Sequence, residues 1–283
     1  MRSLVIVFFT FCIICCSILP SKAQDKPGSI PFAEDVTFLG TEKVAALVVK
    51  NVFAVHVPGP PNTEGKPTWI SVGSGFFVAG SKVTAENTVL PLGITCKHVI
   101  DDAQKDKKGI YIGLDTDSGY QRYQVDVLYI DAENDIAVIR PLLPGNKQYF
   151  SEALSINDEL FDDGKSLVEG RGLLIIGYPL SLGTEGDINH PVVRFGMIAQ
   201  NTGKNTFLLD GVASHGNSGS PVVTLKGTHF QISGMITSFQ NDQIILYDEH
   251  GQISAALPYN SGLARAVKAS LIVKAVEEAK KKL

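Results

Sequence analysis

The sequence has little charge, few cysteines and one tryptophan. Charged residues make up 19% of it, and 25 basic against 29 acidic residues leave a formal charge of -4, so no broad basic surface is available to bind nucleic acid. No apolar segment after residue 23 is long enough to cross a bilayer. The 27 glycines and 14 prolines in a 44% apolar chain exclude disordered, collagen-like and coiled-coil proteins and indicate a globular protein with many turns.

The N-terminus has the pattern of a secretory signal peptide. Met1 and Arg2 precede the uncharged apolar run Leu4–Leu19, and Ser21 and Ala23 stand where a signal peptidase reads small residues. We therefore expect residues 1–23 to be cleaved after Ala23, giving a periplasmic or secreted protein without stable membrane insertion. An uncleaved membrane anchor is the alternative, because the run is only slightly shorter than the roughly 17 residues that span a bilayer.

Cleavage at this position would leave one thiol in the mature chain. Three cysteines lie in the apolar run, so Cys96 alone would remain, with 23 basic against 29 acidic residues and a charge of -6. No internal disulfide could then form, and the core alone would stabilise the exported protein.

Short apolar runs rich in β-branched and aromatic residues recur after residue 40, separated by Gly, Pro, Asn and Asp. They are Ala45–Val57, Ile70–Val78, Val89–Thr95, Ile110–Leu114, Tyr123–Tyr129 and Ile136–Ile139, then Gly172–Gly177, Val192–Gln200, Thr206–Asp210, Ser220–Leu225, Gln231–Phe239 and Ile244–Tyr247. Such repeated strands predict an all-β sandwich or barrel protein in two halves of similar size, preceded by a polar lead-in at 24–40.

The C-terminal segment has a different period. Leu263, Val267, Leu271, Ala275 and Ala279 are spaced by four residues, which predicts an amphipathic helix within 263–283. Lysines end the segment and suit the negative end of a helix dipole. We expect this helix to pack on the second half.

The most informative motif surrounds Ser218, in the sequence Ser-His-Gly-Asn-Ser-Gly-Ser-Pro at 214–221. A nucleophilic serine needs a base to accept its proton and backbone donors for the oxyanion, and glycines give the backbone the freedom to supply such donors. The α/β-hydrolase elbow is excluded, because Ser220 replaces its second glycine and a strand follows. An ordinary turn before a strand would have the same composition.

Two further residues complete a possible triad. His98 follows the apolar strand ending near Thr95, and Asp135 precedes the apolar strand Ile136–Ile139. Each alone is more typical of a surface or turn residue. The order His, Asp, Ser is nevertheless that of chymotrypsin-type enzymes and differs from the order in subtilisin-type enzymes and α/β-hydrolases.

Five stretches in register with this order carry a family resemblance. They are Gly-Ser-Gly-Phe at 73–76, Thr95–His98, Asn134–Ala137, Ile176–Pro179 and Asp210–Pro221. From about Gly73 to Val273 the chain resembles trypsin-like, chymotrypsin-fold serine proteases of the HtrA/Deg-type branch, without the PDZ module that many of them carry. The resemblance implies a protease domain over 41–283, with two six-stranded β-barrels at about 41–142 and 166–262 and the C-terminal α-helix.

The resemblance also implies the roles of the site residues. Ser218 attacks the peptide carbonyl, His98 transfers its proton, and Asp135 orients the imidazole. The backbone amides of Gly216 and Ser218 form the oxyanion hole. Asn217 stands where digestive relatives have an acid that pairs with a newly cut N-terminus, so activation by such a cut is not expected.

The first substrate pocket is assigned in the same way. The position six residues before the nucleophile, Val212, would form its base, and Thr237, Ser238 and Phe239 would line its wall. An apolar base cannot pair with a substrate Lys or Arg, and a bulky ring shortens a pocket. We therefore expect cleavage after small or medium aliphatic residues.

Together these patterns predict an exported serine endopeptidase that acts on protein or peptide substrates. A catalytically silent relative that only binds peptides or partners is one alternative, and an esterase is another. Cofactors are not expected, and His56, His190, His229 and His250 lack the spacing of a metal site. Cys96 fits core packing better than chemistry.

Overall fold

The computed structural model describes residues 45–46, 48–83, 88–104, 109–116, 119–142, 161–162, 164, 167–182, 190–226 and 229–283. All of them lie in one compact unit, Asp35–Leu283. The expected signal peptide and the lead-in at 24–40 lie outside the described residues. Within these ranges, no helix is long and apolar enough to cross a membrane.

The first half forms a closed antiparallel barrel. Its strands are β1 (Val52–Pro58), β2 (Trp69–Val83), β3 (Thr88–Cys96), β4 (Tyr111–Thr116), β5 (Gly119–Asp131) and β6 (Ile136–Pro141), hydrogen-bonded in the order β1-β2-β3-β6-β5-β4. The rings of Phe53 and Phe77 pack in its core with centroids 4.5 Å apart, and Ile94 and Ile139 are fully buried beside them. The predicted strands close around one apolar interior.

The second half repeats this architecture. Its strands are β7 (Gly172–Gly177), β8 (Val192–Gln200), β9 (Thr206–Asp210), β10 (Pro221–Lys226), β11 (His229–Tyr247) and β12 (Ile253–Lys268), in the order β10-β11-β12-β9-β8-β7. Phe207, Ile175 and Val222 are fully buried inside this barrel. The prediction of two six-stranded barrels in an all-β chain is confirmed.

The strands of the second barrel differ from the prediction at their ends. Ile244–Tyr247 is the end of β11, and the sequence analysis missed β12. Residues 263–268, which were predicted to be helical, belong to β12, because 263–267 pair with β9 from Leu263↔Asp210 to Val267↔Thr206. The barrel therefore extends to Lys268 rather than to about residue 262.

The C-terminal helix (Ala269–Lys280) packs against both barrels. Its buried residues include Ile272, Ala275 and Val276, which pack against β5 and β6 of the first barrel as well as β11 of the second. After the helix, Lys282 Nζ donates a hydrogen bond of 2.8 Å to the carbonyl of Leu128 in β5. The helix thus packs on the second half, as expected, and also on the first barrel, which the sequence did not predict.

Candidate active site

A cavity of about 480 Å³ opens between the two barrels. The first barrel and its helix contribute Ser71, Val72, His98 and Asp102 to its lining. The second half contributes Leu180, Ser181, His215, Gly216, Ser218, Thr237, Ser238, Phe239 and Asn241. Most residues predicted to form the site thus line one cavity, and they come from segments far apart in the sequence.

His98 lies in the first turn of a helix that the sequence analysis did not predict, α1 (Lys97–Gln104), which follows β3 directly. Val99, Ile100 and Ala103 bury one face of this helix. With that face fixed in the core, the imidazole of His98 lies at the cavity with 42% of its side chain exposed. The packing of a short amphipathic helix thus positions the expected base.

Asp135 and His98 form a pair held by two hydrogen bonds. The ring Nδ1 of His98 lies 2.7 Å from Asp135 Oδ2, and the backbone amide of His98 donates to Asp135 Oδ1 at 2.9 Å. The carboxylate therefore fixes both the position and the orientation of the ring. Because Nδ1 is engaged, Nε2 is the ring nitrogen available to accept a proton.

The turn that carries Asp135 has an unusual backbone. Asp135 has a φ of 57°, in the left-handed region that aspartate tolerates better than most residues. The carboxylate of Asp131 accepts hydrogen bonds from the amides of Glu133 and Asn134, both at 3.1 Å, which closes the turn. The surrounding structure holds Asp135 in this strained conformation, and the conformation directs its carboxylate at His98.

The environment raises the pKa of His98 above its ordinary value of 6.5. The hydrogen bond that the His98 ring donates to Asp135 is the main cause and outweighs the opposing effect of burial, and the negative charges of Asp135, Asp102 and Asp101 add to it. The protonated imidazole is therefore stabilised at this position. A base of this kind is well suited to carry a proton during a reaction.

Ser218 lies on a loop between β9 and β10 and reaches the same cavity. Its carbonyl accepts a hydrogen bond of 2.8 Å from the amide of Ser74 in the first barrel. In the described part of the chain, both hydrogen bonds of His98 go to Asp135, and none joins its ring to Ser218. Such contacts often tighten only when a substrate binds.

The backbone around Gly216 is arranged to leave two donors free. Among the described residues, the amides of Gly216 and Ser218 have no hydrogen-bond partner. Gly216 has a φ of 89°, and a Cβ there would lie 2.2 Å from the carbonyl oxygen of Tyr178. Only glycine fits this conformation, which keeps both amides next to the cavity.

Ser74 in β2 clamps this loop from the first barrel. Its buried hydroxyl donates to the carbonyl of Gly216 at 2.6 Å and accepts from the amide of Tyr178 at 2.9 Å. Thr95 in turn donates to the carbonyl of Ser74 at 2.7 Å. The loop that carries the expected nucleophile is therefore fixed by side chains of the opposite barrel.

A second contact orients the peptide between His215 and Gly216. The amide of Leu180 donates to the carbonyl of His215 at 2.6 Å. Because a trans peptide directs its N–H opposite to its C=O, this contact fixes the direction of the Gly216 amide. Leu180 and Ser181 both have positive φ, 53° and 61°, so this segment is strained where it contacts the loop.

The side chain of Asn217 is buried inside the same loop. Its Oδ1 accepts a hydrogen bond of 3.1 Å from the amide of Ser214, and its Nδ2 lies 3.4 Å from Ser220 Oγ. Ser220 fills the space above Gly177, where a Cβ would lie 1.8 Å from the Ser220 hydroxyl. Asn217 and Ser220 thus stabilise the loop from within.

The expected pocket residues are only partly brought together. Thr237, Ser238 and Phe239 line the cavity, and the Phe239 ring packs edge-on against His215 with centroids 5.2 Å apart. Val212 is not among the residues that line this cavity and is 56% exposed, so the structure does not place it at the base of the cavity. The adjacent Ala213 is fully buried instead, in the core of the second barrel.

Cys96 lies close to the His98 and Asp135 pair. The thiol, imidazole and carboxylate each offer an atom within 4.8 Å of the others, a spacing that could hold a metal. The thiol is fully buried, donates to the carbonyl of Ile236 at 3.2 Å, and has a pKa well above its usual range because of burial and the Asp135 charge. A metal-binding thiolate is therefore disfavoured, and Cys96 links β3 to β11.

The sequence analysis missed two residues that hold this site. Ser74 was part of a recognised stretch, and a lone hydroxyl between two glycines in an apolar strand could have indicated its role. Leu180 carries no such signal, because its contribution comes from its backbone.

Comparison with known proteins gave one result. The model of a family described as a trypsin-like peptidase domain matches residues 73–229, more than half of the chain. The matched region contains His98, Asp135 and Ser218 and runs from within β2 of the first barrel to the start of β11 in the second. No curated protein matches the sequence.

Proposed function

The chain belongs to the family of trypsin-like peptidase domains, and from that premise we propose that it is a serine endopeptidase in which His98, Asp135 and Ser218 form the catalytic triad. The observation that supports this most strongly is the His98–Asp135 pair, joined at 2.7 Å on the same cavity as Ser218. Membership of a peptidase family makes a protein or peptide the expected substrate.

The reaction follows from the positions of these groups. Ser218 Oγ attacks the carbonyl carbon of the scissile bond while its proton passes to His98 Nε2. The C–N bond then breaks, and His98 donates that proton to the leaving amine. Water attacks the acyl-enzyme with the same base, which releases the acid and restores Ser218. Asp135 remains ionised and stabilises the imidazolium throughout.

The free amides of Gly216 and Ser218 would hold the oxyanion that forms in each step. Two such donors, fixed before the substrate arrives, lower the barrier because no reorganisation is needed when the charge develops. The Ser74 and Leu180 contacts supply that preorganisation. One donor of this kind is worth on the order of 3 kcal/mol in transition-state stabilisation.

The substrate pocket favours small or medium aliphatic residues before the cleaved bond. Phe239 and His215 narrow the cavity with two packed rings, and Thr237 and Ser238 leave its wall short and uncharged. Val212 does not contribute. A peptide library profile tests this preference, and a dominant selection of Lys or Arg would contradict it.

Two finer features of the proposal come from the sequence. The motifs of the HtrA/Deg-type branch and the signal pattern at 1–23 support a protease exported to the periplasm or beyond the cell. Mass spectrometry of the mature N-terminus, expected at Gln24, tests the cleavage.

A catalytically silent peptide-binding protein is the second candidate, because no hydrogen bond joins Ser218 to His98 among the described residues. A serine-reactive fluorophosphonate distinguishes the two. We expect labelling of the wild type and of Ser238→Ala, a control serine in the same cavity, and none of Ser218→Ala. Equal labelling of all three, or none in folded wild type, would reject the catalytic proposal. Labelling with ester turnover but no proteolysis would indicate an esterase.

A further inference from the structure

Beyond the cavity, β11 and β12 continue as a two-stranded ribbon that leaves the barrel. Pairing runs from Asn241↔Asn260 to Tyr247↔Ile253. On one face the cross-strand pairs are Asp242 with Tyr259, Ile244 with Leu257 and Leu246 with Ala255, and the Tyr259 hydroxyl donates to Asp242 at 2.9 Å. Ile244, Leu246, Leu257 and Tyr259 on this face are 42 to 50% exposed.

One edge of the ribbon starts at the catalytic loop. β10 pairs with β11 only as far as Pro221↔Met235. The last contacts on that edge are the amide of Gly219 to the carbonyl of Ile236, at 2.8 Å, and the amide of Ile236 to the carbonyl of Ser220, at 2.9 Å. From residue 237 to 247 no described strand pairs with this edge of β11. The open edge therefore begins beside Ser218.

This edge lacks two of the features that usually prevent strand addition, although its pairing with β12 shifts register at three points between Ile236 and Tyr247. Exposed edges are normally blunted by charged residues or proline, yet β11 from 237 to 247 contains one charged residue, Asp242, and no proline. A long edge with one charge, no proline and apolar residues at its outer end is a template for an added strand. Its continuity with the cavity identifies the strand that can reach it.

We propose that the edge of β11 beyond Asn241 is an extended substrate site, which binds a polypeptide in β conformation with apolar side chains near Ile244 and Leu246. This inference rests on the proposed function. Ile244 lies six residues past Ser238, or about 20 Å along the strand, so the contacted substrate residues lie about six or more positions from the cleaved bond. The substrate class is therefore a polypeptide with an extended segment that continues at least six residues from the cleaved bond.

The test compares two peptides that share one cleavage segment. The short peptide ends within the cavity. The long peptide has eight further residues, with apolar side chains at alternate positions, at the end that is expected to lie along β11. We expect the long peptide to show about a tenfold higher kcat/KM through a lower KM. N-methylation of alternate amides in the extension should remove the gain, because it removes the backbone hydrogen bonds.

Variants on the two strands of the ribbon distinguish substrate binding along β11 from other functions of the apolar face. Ile244→Thr should lose most of the gain and cleave the short peptide normally. Leu257→Thr is the matched control, because Leu257 has the same exposure, 50% against 49%, but lies on the far strand. It should keep the gain.

Three results would overturn the proposal. The first is an equal kcat/KM for the long and short peptides. The second is a gain that survives N-methylation and Ile244→Thr. The third is an equal loss in Ile244→Thr and Leu257→Thr with self-association in sedimentation, which would assign the face to a second copy of the chain. If the wild type fails to cleave the short peptide, the proposed function itself is wrong and the extended site falls with it.

Discussion

The two barrels share one architecture but contribute different chemistry to the cavity. The first barrel provides side chains that handle a proton, His98 and Asp135, fixed by hydrogen bonds of 2.7 and 2.9 Å. The second provides Ser218, the proposed nucleophile, on a loop whose backbone conformation is set by Gly216 at a φ of 89°. Neither barrel holds all three residues of the proposed triad, so the proposed catalysis depends on contacts that hold one barrel against the other.

The two barrels also differ in the apolar residues that they expose. In the first barrel, the exposed large apolar residues of the described strands are Ile70 and Ile130. The second barrel exposes Val193, Phe195 and Met197 along β8, and further apolar residues along the ribbon of β11 and β12. The apolar residues of the first barrel thus lie mainly in its own core, whereas the second barrel exposes apolar surfaces that are suited to binding.

The largest expected effect comes from removing the base that the first barrel supplies. His98→Ala should lower kcat by about 10⁶-fold, and adding Ser218→Ala should cost little more, because triad residues act as a unit. Peptide hydrolysis by the two single variants and the double variant measures this. Multiplicative losses would show that the barrels act independently.

Asp135→Asn should lower kcat by about 10⁴-fold, because the amide no longer holds the imidazole in the correct tautomer. Asparagine tolerates the φ of 57°, so the turn should keep its conformation. The hydrogen bond that the ring donates to the Asp135 carboxylate is the main reason that the pKa of His98 is raised. The acidic limb of the residual activity should therefore move to lower pH, and an unmoved limb would show that another group controls it.

Gly216→Ala tests the backbone contribution of the second barrel. The Cβ would lie 2.2 Å from the Tyr178 carbonyl, so the loop must move, and loss of an oxyanion donor should lower kcat about 10² to 10³-fold. Gly203→Ala is the matched control, since its φ is 97° and its Cβ would meet nothing within 4 Å. It should lose only about 1 to 2 kcal/mol of stability. Equal rate losses would mean that general strain, not the oxyanion site, explains the effect.

Ser74→Ala tests the clamp between the barrels. It leaves the Gly216 carbonyl and the Tyr178 amide without their hydroxyl partner, which should lower kcat about tenfold and stability by about 1 to 3 kcal/mol. Ser233→Ala removes a buried hydroxyl bonded within the second barrel, to Thr224 at 2.6 Å, and should lose stability alone. A similar rate for both variants would remove the positioning role of Ser74.

The last prediction concerns the stability of the first barrel in acid rather than the rate of the reaction. His56 is buried, and burial with the nearby Arg122 charge lowers its pKa to about 3. The unfolded chain binds this proton near pH 6.5 and the folded chain does not, so stability should fall by about 1.4 kcal/mol per pH unit as pH drops from 6.5 towards 3. His56→Gln should show a smaller slope in denaturant unfolding between pH 6 and 4. An unchanged slope would assign the acid sensitivity to other groups.

The comparison also shows what the sequence could predict. Two sets of short apolar runs predicted both barrels, because a buried strand carries its signal in its own residues. In β12, Ala, Pro, Asn and Gly weaken that signal, and the four-residue spacing from Leu263 extends a helical pattern into a strand. Pairing with β9 decides the conformation there, and pairing is not a local property.

The candidate site likewise has a part that the sequence could predict and a part that it could not. Its side-chain groups were predictable, because His, Asp and Ser carry their chemistry in their identity and order. The backbone device at Leu180 and the misplaced Val212 were not, because backbone direction and side-chain facing are set by contacts from distant segments. Counting positions from a motif works where the chain is regular and fails in loops.

The pH dependence of fluorophosphonate labelling at Ser218 tests the central claim most directly, because it reads the nucleophile of one barrel through the base of the other. We predict that the rate falls about tenfold per pH unit below the pKa of His98, which lies above 6.5. The fall should move to lower pH in Asp135→Asn, whose ring lacks the carboxylate. A labelling rate that stays constant from pH 8 to pH 4 would contradict the account, because Ser218 would then react without His98.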